Sequence, residues 1–139
     1  MTKTTFNDLA FGDIDNDGDL DLALNGCTYA IGVSCSSYVS KIYINNGTSL
    51  TESDQWQNNL TAVNAGSLAF GDIDNDGDLD LALSGCNNGG GAVGPCNNYN
   101  TLISVNNGTS LVEGIQWQNN LTDVAWSSTS FGDIDNDGD

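Results

Sequence analysis

Leucines at 79, 81 and 83 alternate with Asp80, Ala82 and Ser84. A period of two places alternate side chains on opposite faces of an extended chain, so this stretch predicts a β-strand. A short apolar run, "SLAF" at Ser67 to Phe70, precedes it, and "TLISV" at Thr101 to Val105 follows as a β-branched second run. "NNG" at Asn106 to Gly108 then predicts a hairpin turn, because Asn and Gly tolerate positive φ. A fourth strand is expected through "SLVEGIQW". No segment sustains a helical period, and the single proline lies in a Gly-rich stretch between two cysteines. The pattern predicts an all-β chain.

The pattern occurs twice. The chain repeats at an offset of 59 residues up to the first cysteine of each pair (Cys27, Cys86) and 61 after the second (Cys35, Cys96). The two extra residues fall in "CNNGGGAVGPC" against "CTYAIGVSC", which marks a surface loop. Units of about 60 residues with four antiparallel strands match the grammar of β-propeller blades. The expected organisation is blade 1 over residues 1–66, blade 2 over 67–127, and the first strand and truncated loop of a third over 128–139. One blade cannot cover both its faces, so neighbouring blades or other copies of the chain are the expected partners. A third "FGDIDNDGD" that stops at Asp139 suggests a fragment of a longer repeat protein or an oligomerising piece.

Charge sharpens this picture. The 139 residues carry a formal net charge of −17, with no histidine and only Lys3 and Lys41 positive. That balance argues against nucleic acid or an anionic membrane surface as a partner. No hydrophobic run reaches transmembrane length, so membrane insertion is not expected. Fourteen of the nineteen acidic residues lie in the three copies of "FGDIDNDGD" and its continuation, so the charge needs a local explanation.

In Asp13-Ile14-Asp15-Asn16-Asp17-Gly18-Asp19-Leu20-Asp21, carboxylates occupy loop positions one, three, five and nine. They can converge on one point if the chain curls, with Gly18 permitting the turn and the Asp19 carbonyl adding an oxygen. An all-oxygen set with several carboxylates suits Ca2+ best and Mg2+ second. An EF-hand has the same opening, but it needs Glu at position twelve, where Leu24 and Leu83 stand, and flanking helices. A dockerin-like repeat fails on the same ground, and thrombospondin-type calcium repeats are spaced far more closely. A metal-free acidic turn is disfavoured, since two carboxylates about 5 Å apart repel by roughly 1–3 kcal/mol at effective dielectrics of 80 to 20. A catalytic carboxylate pair is weak, because the loop recurs in every unit without histidine or a nucleophile motif. No enzyme activity is expected.

Phe-Gly at 11–12, 70–71 and 131–132, the acidic loop and the Leu-Asp-Leu strand together resemble the FG-GAP or VCBS-type repeats of integrin-α-like β-propellers. The resemblance spans nearly the whole chain. It implies one calcium-bound loop per blade, at 13–21 and 72–80, in an extracellular propeller used for adhesion or recognition. The implied ligands are Asp13, Asp15, Asp17, Asp19 (carbonyl) and Asp21, then Asp72, Asp74, Asp76, Asp78 (carbonyl) and Asp80. Asp133, Asp135, Asp137 and Asp139 match in the third copy, which lacks the position-nine aspartate and is therefore incomplete.

Cys27 pairs by position with Cys35, and Cys86 with Cys96, each across one hairpin, so disulfides Cys27–Cys35 and Cys86–Cys96 are expected over free thiols or zinc ligation. Asn46, Asn59, Asn107 and Asn120 open N-glycosylation sequons at two repeated positions. Trp56 and Trp117 recur in "QWQNNLT" and read as packing between blades, and the three phenylalanines before glycine read as core. Phe6, Ala65 and Trp126 fall at equivalent positions and differ. The expected function is a non-enzymatic, extracellular or cell-surface, calcium-binding and glycosylated repeat with a structural role in an assembly or fibril. The alternatives are an adhesive or ligand-binding propeller, taking carbohydrate or protein, and a non-catalytic domain of a secreted enzyme.

Overall fold

The computed structural model describes residues 4–5, 8–29, 35–89 and 96–134. Among these, the alternating segments form two antiparallel sheets, and neither closes on itself. The first contains β1 (Thr4–Thr5), β2 (Leu9–Gly12), β3 (Asp21–Tyr29), β4 (Cys35–Asn45) and β5 (Leu50–Glu52). Its order is β2-β3-β4-β5, with the two-residue β1 also pairing β3 at Thr4↔Thr28 and Thr5↔Cys27. The short helix α1 (Asp54–Gln57) follows. The second sheet runs in the order β6 (Leu68–Gly71), β7 (Asp80–Gly89), β8 (Cys96–Asn106) and β9 (Leu111–Glu113), followed by α2 (Ile115–Gln118). Register repeats with the sequence: Leu9↔Leu24 and Gly12↔Asp21 in one sheet, Leu68↔Leu83 and Gly71↔Asp80 in the other.

The fourth strand is shorter than "SLVEGIQW" predicts, ending at Glu113. The Gly114 N–H donates to the Ile103 carbonyl at 2.8 Å, which turns the chain back over β8. A Cβ at Gly114 would lie 2.9 Å from Val105 Cγ2. The next four residues make one helical turn, too short to leave a period of 3.6 in the sequence. The "NNG" turns form as expected, with Gly47 at φ +79° and Gly108 at φ +80°. Asn46 Oδ1 accepts from the Thr48 and Ser49 N–H groups, and Asn107 Oδ1 from Thr109 and Ser110, so each turn is braced by its own asparagine.

Both expected disulfides are present. Cys27–Cys35 joins β3 to β4 and Cys86–Cys96 joins β7 to β8, with Cα separations of 5.5 and 5.8 Å. Loop-closure entropy puts each at about 2.5–3 kcal/mol. The cysteine loops themselves, 30–34 and 90–95, lie outside the described residues.

The core lies between the sheets. The front face of the second sheet supplies Leu68, Leu81, Leu83 and Leu111, and the back of the first supplies Ala23 and Ile42, with Trp56, Val63 and Ile14 closing the sides. Its tightest feature is an interlock of the Phe-Gly pairs. A Cβ on Gly12 would lie 2.7 Å from Phe70 Cδ2, and one on Gly71 would lie 2.3 Å from Phe131 Cγ. Each phenylalanine therefore rests on the glycine of the preceding repeat. Phe11 has no such seat, and it is exposed rather than core. The tryptophans diverge in the same way: Trp56 is buried between the sheets, whereas Trp117 is partly exposed on the back of the second.

Residues 128–134 carry no strand. A strand needs a hydrogen-bonding neighbour, and none flanks this segment among the described residues. It nevertheless follows the repeat: Thr129 N–H donates to Ser67 Oγ at 3.0 Å, as Leu68 N–H donates to Asp8 Oδ2 at 3.0 Å.

Candidate metal centre

The two acidic loops connect β2 to β3 and β6 to β7, and they fold alike. Asn16 and Asn75 adopt φ +60° and +58°, and Gly18 and Gly77 adopt φ +93° and +94°. Left-handed residues at loop positions four and six curl the chain. Asp13 closes the curl, accepting from the Asp17 N–H at 3.0 Å and the Gly18 N–H at 2.9 Å. Asp72 does the same for Asp76 and Gly77 at 3.1 and 2.9 Å. The position-nine aspartates are fully buried. Asp21 accepts from the Ile14 N–H at 2.9 Å and the Asn45 N–H at 2.8 Å. Asp80 accepts from Ile73 and Asn106 at 2.8 and 2.7 Å.

This curl brings carboxylate oxygens of Asp13, Asp15 and Asp21 within 4.8 Å of one another, and likewise those of Asp72, Asp74 and Asp80. Two oxygens each about 2.4 Å from one cation are at most about 4.8 Å apart, so each set is close enough together that it could hold one hard cation. Of the predicted ligands, Asp17 and Asp76 stand outside these triplets. Their Oδ1 atoms accept from the Asp19 and Asp78 N–H groups at 2.9 Å. The Asp78 carboxylate accepts from Asn16 Nδ2 at 2.6 Å, which links the two loops. Asp133 is described and exposed; Asp135, Asp137 and Asp139 lie outside the described residues.

Electrostatics follow from the crowding. Desolvation and then the neighbouring Asp21 and Asp17 charges push the Asp15 carboxyl above its ordinary range. Asp74 is raised by desolvation and by Asp76 and Asp72. Asp80 is also raised, chiefly by desolvation, against the lowering effect of its bonds from Asn106 and Ile73. Each effect penalises the anion in the absence of a counter-charge. A bound cation removes the penalty, and the only described cationic side chain, Lys41, is paired with Glu52 instead.

Sequence reasoning missed the role of the first asparagine in "NNG". Asn45 and Asn106 hold the position-nine aspartates through their N–H groups, and their Nδ2 atoms donate to the Leu20 and Leu79 carbonyls at 3.1 and 3.3 Å. Asn106 Nδ2 also reaches the Ile14 carbonyl of the first loop at 2.9 Å. The recurrence of this asparagine after both loops, 24 residues past Asp21 and 26 past Asp80, was the available signal.

Comparison with curated proteins and with solved structures gave no match. Residues 29–83 match the family model of the FG-GAP-like repeat, a span that takes in the first sheet from the end of β3 onward, the second Phe-Gly pair and the whole second loop. Over that span the chain carries an FG-GAP-type repeat.

Proposed function

We propose that this chain is a non-enzymatic, calcium-binding repeat of the integrin-α-like propeller type, acting outside the cell as a structural element of a surface assembly or fibril. The observation that carries the reading is the pair of equivalent carboxylate triplets, each within 4.8 Å, at the same place in two successive repeats. In this reading Asp13, Asp15 and Asp21 hold one Ca2+, and Asp72, Asp74 and Asp80 a second. Backbone carbonyls of Asp19 and Asp78, Asp17 and Asp76, and water supply the remaining oxygens that Ca2+ requires. The ion would neutralise the loop and fix the β2–β3 and β6–β7 connections. Two disulfides agree with an extracellular setting. Sequons at Asn46, Asn59, Asn107 and Asn120 agree with glycosylation there, all four being exposed.

Calorimetric titration of the chelator-treated chain with CaCl2 tests the reading. Two sites and a rise in melting temperature are expected; no heat and an unchanged melting curve would refute it.

A second reading, an adhesive or ligand-binding propeller, is favoured by one feature. Tyr99 and Trp126 are both exposed and meet edge-on, with ring centroids 6.5 Å apart and an interplanar angle of 66°. Exposed aromatic pairs suit the apolar faces of sugars or a protein hot spot. Binding of an oligosaccharide or protein ligand that is lost in Trp126→Ala would favour this reading over the first.

A further inference from the structure

Asn45 and Asn106 are equivalent residues with one local task, and Asn106 does more. Each donates its N–H to the buried aspartate of its own loop, Asp21 at 2.8 Å and Asp80 at 2.7 Å. Each side-chain oxygen accepts from the glycine of its turn, Gly47 at 3.0 Å and Gly108 at 2.9 Å. Each Nδ2 donates to a carbonyl of its own loop, Leu20 or Leu79. These bonds of Asn45 all stay within the first repeat. Asn106 Nδ2 has a further acceptor, the Ile14 carbonyl in the loop of the first repeat, at 2.9 Å and 92 residues away along the chain. Asn106 is 1% exposed, so the donor is aimed at that carbonyl from inside the protein.

We propose that the cation site of the first loop is built by two repeats, with Asn106 of the second acting as a positioning residue for Asp13 and Asp15 of the first. The inference rests on the calcium reading above and names what holds that site in shape. Ile14 stands between two candidate ligands, and its carbonyl lies in the peptide plane that leads into Asp15. A buried donor that fixes this carbonyl fixes the plane, and with it the direction in which Asp15 leaves the chain. The Ile14 N–H lies in the preceding plane, which leads out of Asp13, and is held by Asp21 at 2.9 Å. One plane is therefore held from within the repeat and the other from the next repeat. The Ile14 side chain, buried in the core between the sheets, anchors the residue between them. Asp78, also of the second repeat, gives a second hold, because its carboxylate accepts from Asn16 Nδ2 one residue past Asp15.

Outer hydrogen bonds that orient metal ligands are worth about 10–100-fold in affinity. The loss on removing Asn106 Nδ2 should therefore fall on the first loop, although the residue belongs to the second repeat. The Asn106 N–H that holds Asp80 is backbone and survives a side-chain substitution.

The test is calorimetric titration with CaCl2 of chains made without glycans, in variants that leave one loop working. In the Asp80→Asn background the first loop is read alone, and adding Asn106→Ala should weaken it at least about tenfold. In the Asp21→Asn background the second loop is read alone, and adding Asn45→Ala should leave it unchanged. Asn107→Ala removes the brace of the same turn but not the donor to Ile14, so the first loop should keep its affinity. Asn106→Asp keeps the shape and the acceptor for the Gly108 N–H but lacks the donor, and it serves if the alanine variant does not fold. It should also weaken the first loop, against the gain that its added charge alone would bring. Melting curves in chelator separate a general loss of stability from a loss of binding. First-loop affinity that survives both Asn106 variants, or that falls equally in Asn107→Ala, overturns the proposal and leaves the calcium reading standing. No heat in the unsubstituted chain overturns both.

Discussion

Replacing Gly12 by alanine tests the interlock at the centre of the fold. The new Cβ would lie 2.7 and 2.8 Å from Phe70 Cδ2 and Cγ and 3.0 Å from Leu79 Cδ1. Carbon atoms pack at about 3.5–4.0 Å, so the ring must retreat by roughly 1 Å. Its strand neighbour is Leu81, and it packs against the inter-sheet core. Overpacking of this kind costs about 1–3 kcal/mol. Gly12 has no positive φ to protect, so the substitution also gains about 0.4–1 kcal/mol through the unfolded chain. The net expectation is a loss of about 1–2 kcal/mol, or about 4–8 °C in melting temperature at this chain length. The assay is thermal unfolding of Gly12→Ala, Phe70→Ala and the double variant. Removing the ring removes the clash, so Gly12→Ala should be neutral or slightly stabilising in the Phe70→Ala background. The cycle should give a coupling of about 1–3 kcal/mol. Equal effects of Gly12→Ala in the two backgrounds would show that the ring does not rest on the glycine.

In calorimetric titrations, Asp80→Asn should cut Ca2+ affinity at the second loop at least about tenfold while the first loop keeps its own, since ligand charge sets affinity; equal loss at both loops would argue against separate sites. Metal-free protein should gain stability from Asp15, Asp74 and Asp80 as the pH falls. Their folded-state pKa values are raised, so their contribution is complete below the ordinary carboxylate value of about 4 and is lost as pH rises through the folded values. Glu52, lowered by its bond from Lys41, works in the opposite direction at more acid pH. With Ca2+ bound the trend should reverse over the same window, because protons compete with the metal; melting curves from pH 4 to 7 with CaCl2 or chelator read both. Glycopeptide mass spectrometry should find lower occupancy at Asn59 than at Asn120, because the Asn59 Nδ2, the atom a glycan would occupy, donates to the Leu111 carbonyl between the sheets.

Much of this was legible in the sequence because repetition made weak signals strong. Alternation at 79–84 and its earlier copy located β3 and β7, and the equivalent cysteines gave both disulfides. The acidic spacing predicted convergence of positions one, three, five and nine; the carboxylates at one, three and nine lie within 4.8 Å of one another, and those at five stand outside the triplets. What escaped was whatever depends on a neighbouring unit. Phe11, Phe70 and Phe131 share one local context, yet their burial differs according to whether a glycine seat precedes them. Trp56 and Trp117 share "QWQNNLT" and differ because Trp56 packs in the core between the two sheets. The single turns α1 and α2 escaped because four residues cannot display a helical period.

The acidic loop and the packing of repeats are one mechanical unit, and Ile14 is where they meet. Its N–H donates to the buried Asp21 carboxylate, its carbonyl accepts from Asn106 of the second sheet, and its side chain is 1% exposed in the core between the sheets. Whatever fixes the Asp21 carboxylate therefore fixes the residue that both fills the interface and receives a hydrogen bond across it. Asn16, bonded to Asp78, ties the same loop to the next one at a second point. In a chain of net charge −17, two acidic loops joined by that bond would repel unless neutralised. Neutralising the loops should then do more than order two turns: it should relieve the repulsion that opposes packing one repeat on the next. That coupling accounts for placing the acidic cluster beside the inter-sheet core instead of at a remote loop tip.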